Sequence, residues 1–123
     1  MLLLRNIIAK RYTIVNGNKL DLDLSFLVRS KLYSNDNNMV SGKVIDNGLI
    51  QYNHDFSFSI FANKNISGHR INDVESCFRE AVLTDKDYIG MSNDSAVSYN
   101  LGQLKSGDQI DFTLFIYIEN NNN

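Results

Sequence analysis

Residues 109–119 read Gln-Ile-Asp-Phe-Thr-Leu-Phe-Ile-Tyr-Ile-Glu, and this stretch decides the class of fold. Its even-numbered residues are all apolar, whereas its odd-numbered residues mix polar and aromatic side chains. Alternation with a period of two, carried by β-branched and aromatic residues, predicts a strand with at least one buried face. Because Phe115 and Tyr117 make the second face partly apolar, we predict that this strand lies inside a sheet or in an interface.

The residues before this strand predict a turn. Lys105-Ser106-Gly107-Asp108 has turn composition, and Gly107 is free to adopt a positive φ. Upstream of the turn, residues 97–101 alternate again. Two alternating segments on either side of a short turn predict that the chain ends in a β-hairpin.

This terminal segment also resembles a known kind of module. Residues 99–108, followed by the alternating strand, are similar to the last hairpin of many immunoglobulin-like and carbohydrate-associated β-sandwich modules. The resemblance implies a sandwich and carries no functional residue with it.

Further strands are predicted along the rest of the chain. Leu2–Ala9 is apolar on both faces, which indicates burial on both sides. Residues 19–26 alternate with Leu20, Leu22, Leu24 and Phe26 inward, and a phase slip at Leu27-Val28 predicts a β-bulge. Weaker strands are predicted at 39–45, 49–52 and 55–61.

Turn-forming residues separate these strands. Asn16-Gly17 and Asp46-Asn47-Gly48 are the two hairpin signals of the chain. Residues 35–38, 63–70 and 85–95 have the polar composition of loops, the last with Tyr88-Ile89 as a short apolar insert.

One segment, residues 72–83, favours a short helix. Its apolar residues follow helical spacing at Val74, Cys77, Phe78, Ala81 and Val82. Asn72 followed by Glu75 resembles a capping box at its start. A strand followed by a turn, with Phe78, Val82 and Leu83 facing the core, is the alternative that the pattern leaves open.

Together these elements predict an all-β protein with one short helix near 72–83. The fold class is an antiparallel β-sandwich, either jelly-roll-like or immunoglobulin-like. We predict a single sandwich domain over residues 1–119, followed by an Asn-rich tail over residues 120–123.

Composition excludes several classes of function. The chain has 123 residues, 43% of them hydrophobic and 21% charged, with a formal net charge of −2. That charge disfavours nucleic-acid binding, which needs a basic face. The single cysteine excludes an internal disulfide. The N-terminus lacks the pattern of a secretory signal, and no apolar run is long enough for a membrane span, so we expect a cytoplasmic location or an assembled particle.

The sequence offers few candidates for a metal site. His54, His69 and Cys77 lack the paired spacing of zinc ligands. Cys77 falls on the apolar stripe of the predicted helix, which predicts a buried, inert thiol rather than a nucleophile. Asp85 and Asp87 match the opening of a calcium loop, with Asp94 as a further carboxylate, but the bidentate ligand of that loop is missing. We predict no metal and no cofactor.

A pair of carboxylates is the remaining candidate for catalysis. Asp21 and Asp23 share one face of a strand and stand about 7 Å apart, because each residue rises about 3.4 Å. Glycosidase carboxylates have similar separations. Alternation places both on a solvated face, however, and no catalytic motif occurs in the chain. We therefore predict that the protein is not an enzyme.

Three functions remain. The leading hypothesis is a non-enzymatic structural or assembly subunit of a virion, appendage or similar particle, which binds itself or other assembly proteins through a sheet surface. The interface residues are predicted as Leu3, Ile7, Phe115 and Tyr117. The second hypothesis is a carbohydrate-binding module that stacks a glycan on Tyr52, Tyr99 and Tyr117. The third is a small acidic inhibitor that binds a partner protein.

Overall fold

The computed structural model describes residues 6–32, 39–79, 82–84 and 87–120. These residues form nine strands and one short helix. In chain order the elements are β1 (Ile7–Val15), β2 (Leu22–Lys31), β3 (Ser41–Ile45), β4 (Gly48–Tyr52), β5 (Phe56–Phe61), β6 (Gly68–Ile71), α1 (Val74–Phe78), β7 (Ile89–Met91), β8 (Asp94–Leu104) and β9 (Gln109–Asn120).

The strands form two sheets that pack together. The six-stranded sheet has the order β1-β9-β5-β4-β3-β7, and the three-stranded sheet has the order β2-β8-β6. Every pair of neighbouring strands is antiparallel. The prediction of an antiparallel all-β sandwich with one short helix is confirmed. No helix among the described residues is long and apolar enough to cross a membrane.

Aromatic side chains fill the space between the sheets. Tyr12 of β1 packs on Phe26 of β2, with ring centroids 4.9 Å apart. Phe26 packs on Phe112 of β9 at 4.8 Å, and Phe112 packs on Tyr99 of β8 at 5.1 Å. Each contact joins one sheet to the other, so the alternating apolar residues of four strands are buried together.

The alternating stretch that decides the fold lies in the interior of the larger sheet. β9 pairs with β1 on one side and with β5 on the other. Phe112 and Leu114 are buried in the core, and Ile110 and Ile116 pack against it. The prediction that this strand lies inside a sheet is confirmed.

The predicted C-terminal hairpin is wrong. β8 and β9 follow one another across the predicted turn, but β8 belongs to the three-stranded sheet and β9 to the six-stranded sheet. The same is true of β1 and β2 around Asn16-Gly17. Both turns therefore carry the chain from one sheet to the other at the same end of the sandwich.

Asn16 holds these two crossings together. Its side-chain Nδ2 donates to the carbonyl oxygens of Leu20 and Leu104, both at 2.9 Å. Its backbone N–H donates to the Asp108 carbonyl, and its own carbonyl accepts from the Gly107 N–H. Asn16 is only 2% exposed. These four hydrogen bonds, two from the side-chain amide and two from the backbone, explain the buried asparagine without a hairpin turn.

The other turn signal gives a true hairpin. β3 and β4 pair directly, with Ile45 opposite Gly48. A Cβ on Gly48 would lie 2.0 Å from the Ile60 carbonyl oxygen, so β5 leaves no room for a side chain there. The glycine of Asp46-Asn47-Gly48 is thus required by close strand packing.

The structure has a β-bulge on β8, which is the partner of β2, whereas the bulge was predicted on β2. β2 continues its alternation through Leu27 and Val28, so the bulge predicted there is wrong. The register shifts after Leu24, where β8 carries Leu101 as an extra residue beside Gly102 at a φ of 85°. The predicted inward position of Leu20 is also wrong, because Leu20 precedes β2 and is 75% exposed.

A second, smaller hydrophobic core covers the outside of the three-stranded sheet, and Leu27 faces this core. Leu27 and Phe78 pack against a cluster of buried residues: Val74, Cys77, Leu83 and Ala96. Across the same surface, Arg29 donates to Asp94 at 2.8 and 2.9 Å and to Glu75 at 2.6 Å. These carboxylates raise the pKa of Arg29, and the Arg29 hydrogen bond lowers the pKa of Glu75.

The helix is shorter than the predicted one. α1 has five residues, and Asp73 at its N-cap has a left-handed φ of 53° without a side-chain cap. The capping box predicted from Asn72 and Glu75 is therefore wrong, since Glu75 binds Arg29 instead. Residues 80–81, which include Ala81 of the predicted stripe, lie outside the described residues.

Two short strands lie where polar composition predicted loops. β6 begins at Gly68, within the segment predicted as a loop over 63–70, and pairs with β8. β7 lies within 85–95 and pairs with β3. At the other end of the chain, the strand predicted over Leu2–Ala9 begins at Ile7 and runs to Val15, and residues 1–5 lie outside the described residues.

Candidate interaction surface

The six-stranded sheet has an apolar surface on the side away from the core. We call this surface the outer face. Its members alternate with core residues along four strands and are half-buried side chains: Ile7 of β1, Ile50 and Tyr52 of β4, Phe61 of β5, and Phe115 and Tyr117 of β9.

Strand alternation explains why these side chains point outward. Leu49, Ile60 and Leu114 belong to the buried core between the sheets. Successive residues of a strand point to opposite sides, so their neighbours Ile50 and Phe115 must face outward. Both sides of the larger sheet are therefore apolar, which is the pattern of a sheet covered on both faces.

Cross-strand pairing brings the outer-face residues into contact with one another. Tyr117 lies opposite Ile7 on one side and Ser59 on the other. Phe115 lies opposite Phe61, and their rings stack with centroids 5.4 Å apart and an interplanar angle of 20°. Stacked aromatic pairs of this geometry contribute about 0.5–1.5 kcal/mol beyond the area they bury. The centre of the outer face is thus a fixed aromatic cluster.

The apolar surface continues to the β7 edge of the sheet. Ile89 and Met91 lie opposite Lys43 and Ser41 of β3, on the outward side. They are 58% and 61% exposed. Lys43 and Ser41 separate these two side chains from Ile50 and Tyr52 of β4, so the outer face is apolar again at its β7 edge. Exposed apolar side chains of this kind mark interaction sites.

An ion pair lies on β1 and β9, at the opposite edge of the outer face. Arg11 Nη2 lies 2.6 Å from Asp111 Oδ2, and Thr13 Oγ1 donates to Asp111 Oδ1 at 2.9 Å. The Arg11 hydrogen bond lowers the pKa of the Asp111 carboxyl, and Asp111 raises the pKa of Arg11. The two charges neutralise each other beside the aromatic cluster.

None of the helices and strands in the described part of the chain packs on the outer face. α1 contacts β8 and lies over the three-stranded sheet, where Val74 and Cys77 are buried. Among the described residues, α1 therefore covers the outside of the smaller sheet, and no helix or strand covers the outside of the larger one.

Most of the predicted interface residues belong to this surface. Ile7, Phe115 and Tyr117 lie together on β1 and β9, while Leu3 lies outside the described residues. The predicted interface residues did not include Ile50 or Phe61. Phe61 shares one side of β5 with Ser57 and Ser59, and an aromatic residue on this otherwise polar side was the one indication in the sequence.

The predicted glycan platform is only partly present. Tyr52 and Tyr117 both lie on the outer face, on strands separated by β5. The prediction for Tyr99 is wrong, because its ring is 0% exposed and its hydroxyl donates to the Asn47 carbonyl at 2.8 Å. The phase of β8 points Tyr99 toward Phe112 in the core rather than toward solvent.

The structure does not bring the candidate metal ligands together. His54 is exposed, and His69 lies buried in β6 rather than in the predicted loop. Asp94 binds Arg29, and Asp85 lies outside the described residues. No group of three or more His, Cys, Asp or Glu side chains suited to a metal ion occurs in the described ranges.

The structure buries the candidate nucleophile, Cys77, and exposes the carboxylate pair, Asp21 and Asp23. Cys77 is 4% exposed, as predicted for a core thiol, and its Sγ lies 3.5 Å from Thr84 Oγ1. That hydrogen bond lowers the pKa of the thiol. Asp21 and Asp23 are both exposed, and Asp21 accepts a hydrogen bond from the Ser106 N–H in the neighbouring crossing.

Comparison with known proteins adds no further assignment. A scan against models of protein families finds no match, and a search of curated proteins finds no significant relative.

Proposed function

We propose that this protein is a non-enzymatic structural or assembly subunit whose copies associate through the outer face. The single observation that carries the proposal is the aromatic cluster of Phe61, Phe115 and Tyr117 on a sheet surface that no described element covers. Burying such a surface is favourable by about 25 cal/mol per Å² of apolar area removed from water.

A second copy of the same chain is the occupant that fits this surface. The polar residues around the aromatic cluster are small and uncharged: Ser57, Ser59 and Thr113. Lys43 of β3 and Glu119 of β9 also lie on the outer face, and they carry opposite charges. Arg11 and Asp111 already neutralise each other. The aromatic cluster at the centre is therefore uncharged, and the opposite charges of Lys43 and Glu119 allow two copies related by a twofold axis to meet without opposing like charges.

The size of the surface favours reversible association. Strands lie about 4.8 Å apart and residues rise about 3.3 Å, so six strands over about five residues cover on the order of 500 Å². Stable complexes bury about 800 Å² per partner. We therefore expect association that depends on protein concentration.

Stacking of faces is favoured over pairing of edges. β1 is an edge strand of the larger sheet and contains no proline. It carries Lys10 and Arg11 near its centre, and charged side chains on an edge oppose pairing with another chain. The aromatic cluster at the centre of the outer face carries no charge and has no such protection.

Light scattering after size exclusion, over about 1–100 µM protein, tests the proposal. We expect the mass to rise with concentration from the 14.0 kDa of one chain to a multiple of it. Tyr117→Lys places a charge in the aromatic cluster and should return the protein to monomer, since an unpaired charge in an apolar interface is costly. Electron microscopy of the wild-type protein then shows whether association ends at a closed oligomer or continues to a particle.

Gln103→Lys is the matched control. Gln103 is exposed on β8 of the other sheet and the substitution adds the same charge there. It should leave the association unchanged. A wild-type protein that stays monomeric across the whole range would refute the proposal, as would equal effects of the two lysine substitutions.

Glycan binding at the same surface is the second candidate function. It is supported by the position of Tyr52 and Tyr117 on one face, where their rings are half-buried and held by strand pairing. Aromatic rings fixed on a flat sheet can stack sugar rings. A glycan array read with the wild-type protein and with Tyr52→Ala tests this function, and silence of the wild-type protein on the array would exclude it.

A further inference from the structure

A cavity of about 300 Å³ opens at the side of the sandwich. It lies between β6, the edge strand of the three-stranded sheet, and the end of β3 in the six-stranded sheet. Ligand sites in proteins have volumes of about 300–1,000 Å³. The cavity is therefore at the small end of that range, suited to one or two sugar-sized rings.

The walls of the cavity are fixed by backbone hydrogen bonds. The Ile66 N–H donates to the Asp46 carbonyl at 2.9 Å, and the Ser67 N–H donates to the Ser98 carbonyl at 2.8 Å. The Val44 N–H donates to the Tyr88 carbonyl at 2.7 Å. These bonds join three separate segments of the chain, so the cavity is formed before any ligand binds and costs little ordering on binding.

Its aromatic wall consists of two rings in tilted contact. The His69 imidazole is 4% exposed and lies under the Tyr88 ring, with centroids 4.4 Å apart and an interplanar angle of 39°. Tyr88 is 68% exposed, although it is a large aromatic side chain. His69 thus supports Tyr88 from below, and the tyrosine presents an apolar surface at the mouth of the cavity.

The polar wall supplies hydrogen-bonding groups and almost no charge. Asp46, Asn65 and Ser67 line it beside the histidine. Together they offer a carboxylate, an amide and a hydroxyl, which can both donate to and accept from a ligand. Among the described residues that line the cavity there is no lysine or arginine. Anionic ligands such as phosphates therefore lack the cations that bind them.

We propose that this cavity binds an uncharged polyhydroxy ligand the size of a mono- or disaccharide, with one ring stacked on Tyr88 and its hydroxyls bonded to Asp46 and Asn65. An aromatic platform beside a carboxylate and an amide satisfies both the apolar face and the hydroxyl groups of a sugar ring. The proposal does not depend on association through the outer face, since the two sites share no residue.

Proton NMR of the imidazole rings tests the proposal directly, because the chain has only two histidines. The probes are the methyl glycosides of glucose, galactose, mannose and N-acetylglucosamine, with their β-linked disaccharides. We expect at least one of them to shift the His69 ring signals saturably, with a Kd of about 1 mM or below. The exposed His54 ring should stay in place and serves as the internal control.

Three variants test the assignment to these residues. Tyr88→Ala should weaken the binding about tenfold or more. Asp46→Asn should weaken it less, because an amide can replace part of the hydrogen bonding. Leu20→Ala also removes an exposed large apolar side chain, at a site 75% exposed and outside the cavity, and should bind as the wild-type protein does.

Three results would overturn the proposal. The first is the absence of any saturable shift at about 50 mM of every saccharide, well above the usual range of protein–sugar affinities. The second is binding that Tyr88→Ala leaves intact and Tyr117→Ala removes, which would assign the sugar to the outer face. The third is a His69 shift produced by tetramethylammonium and by none of the sugars, which would make the cavity a cation site.

Discussion

Tyr99 shows at the level of a single residue how burial replaces the role that its sequence suggests. The ring fills the centre of the core against Phe112, and the hydroxyl has one partner, the Asn47 carbonyl at the β3–β4 turn. The same tyrosine on the opposite phase of β8 would have faced outward. The alternation of residues 97–101 puts Tyr99 on the same side as Val97 and Leu101, and all three are buried in the core.

The ionisation of Tyr99 provides a prediction at this scale. Burial raises the pKa of its phenol to about 12. The unfolded chain therefore loses this proton near pH 10, before the folded protein does, so the folded state binds more protons between those two values. Stability is fully present below pH 10 and should fall as the pH rises through the pKa of the folded state.

Urea unfolding at several pH values between about 9 and 12 measures this dependence. Tyr99→Phe should flatten it by about one proton per molecule. At neutral pH the same variant should cost about 1 kcal/mol for the lost hydrogen bond. An equal slope in wild-type protein and Tyr99→Phe would contradict the burial of the phenol.

At the scale of elements, the sequence predicted strands more successfully than it predicted their partners. The alternation of 109–119 fixes a strand whatever sheet it enters, because alternation reports only which side is buried. A turn such as Lys105–Asp108 has the same composition whether it closes a hairpin or crosses between sheets. The crossing is stabilised by a residue distant in sequence, Asn16, whose side-chain amide donates to the carbonyls of Leu20 and Leu104. Local patterns carry no information about that contact.

Asn16→Ala tests the role of this amide. The substitution removes two bonds donated by Nδ2, to Leu20 and Leu104, and one accepted by Oδ1 from the Asn18 N–H. The Leu104 carbonyl is then buried without this donor, so we expect a loss of about 2–3 kcal/mol in the free energy of unfolding. Chemical denaturation measures the loss.

Asn18→Ala is the control for this substitution, because Asn18 is exposed and contributes backbone groups to the crossing. We expect it to change stability by less than about 0.5 kcal/mol. A similar loss of unfolding free energy in the two variants would show that backbone hydrogen bonds stabilise the crossings and that the Asn16 side chain does not.

At the scale of the whole molecule, the two sheets are unequal in a way that concentrates apolar surface on one side. A three-stranded sheet covers the inner side of a six-stranded one, and α1 covers the outside of the smaller sheet. The sequence predicted Ile7, Phe115 and Tyr117 because their strands are apolar on both sides. It could not predict Ile50 and Phe61 as their neighbours, since that follows from the strand order.

The sequence could not predict the cavity beside β6 for the same reason, because its position depends on how distant segments pack. Its walls come from residues 44–46, 65–69 and Tyr88, three segments separated along the chain. Two of them lie in stretches whose polar composition predicted loops, and His69 was predicted as a solvated loop residue. The pairing of β6 with β8 buries the histidine, and only the folded chain sets it under Tyr88.

Association through the outer face has a consequence for the stability of the whole molecule. If a second copy binds the folded state and not the unfolded chain, mass action adds stability that grows with protein concentration. The melting temperature of the wild-type protein should therefore rise between about 1 and 100 µM, a range that spans the association expected for this area. Differential scanning calorimetry at matched scan rates measures it.

Tyr117→Lys should melt at one temperature across the range, whereas Gln103→Lys should follow the wild-type protein. A wild-type melting temperature that does not change with concentration would mean that the aromatic cluster is stable while exposed, and would leave the outer face without a partner of its own kind.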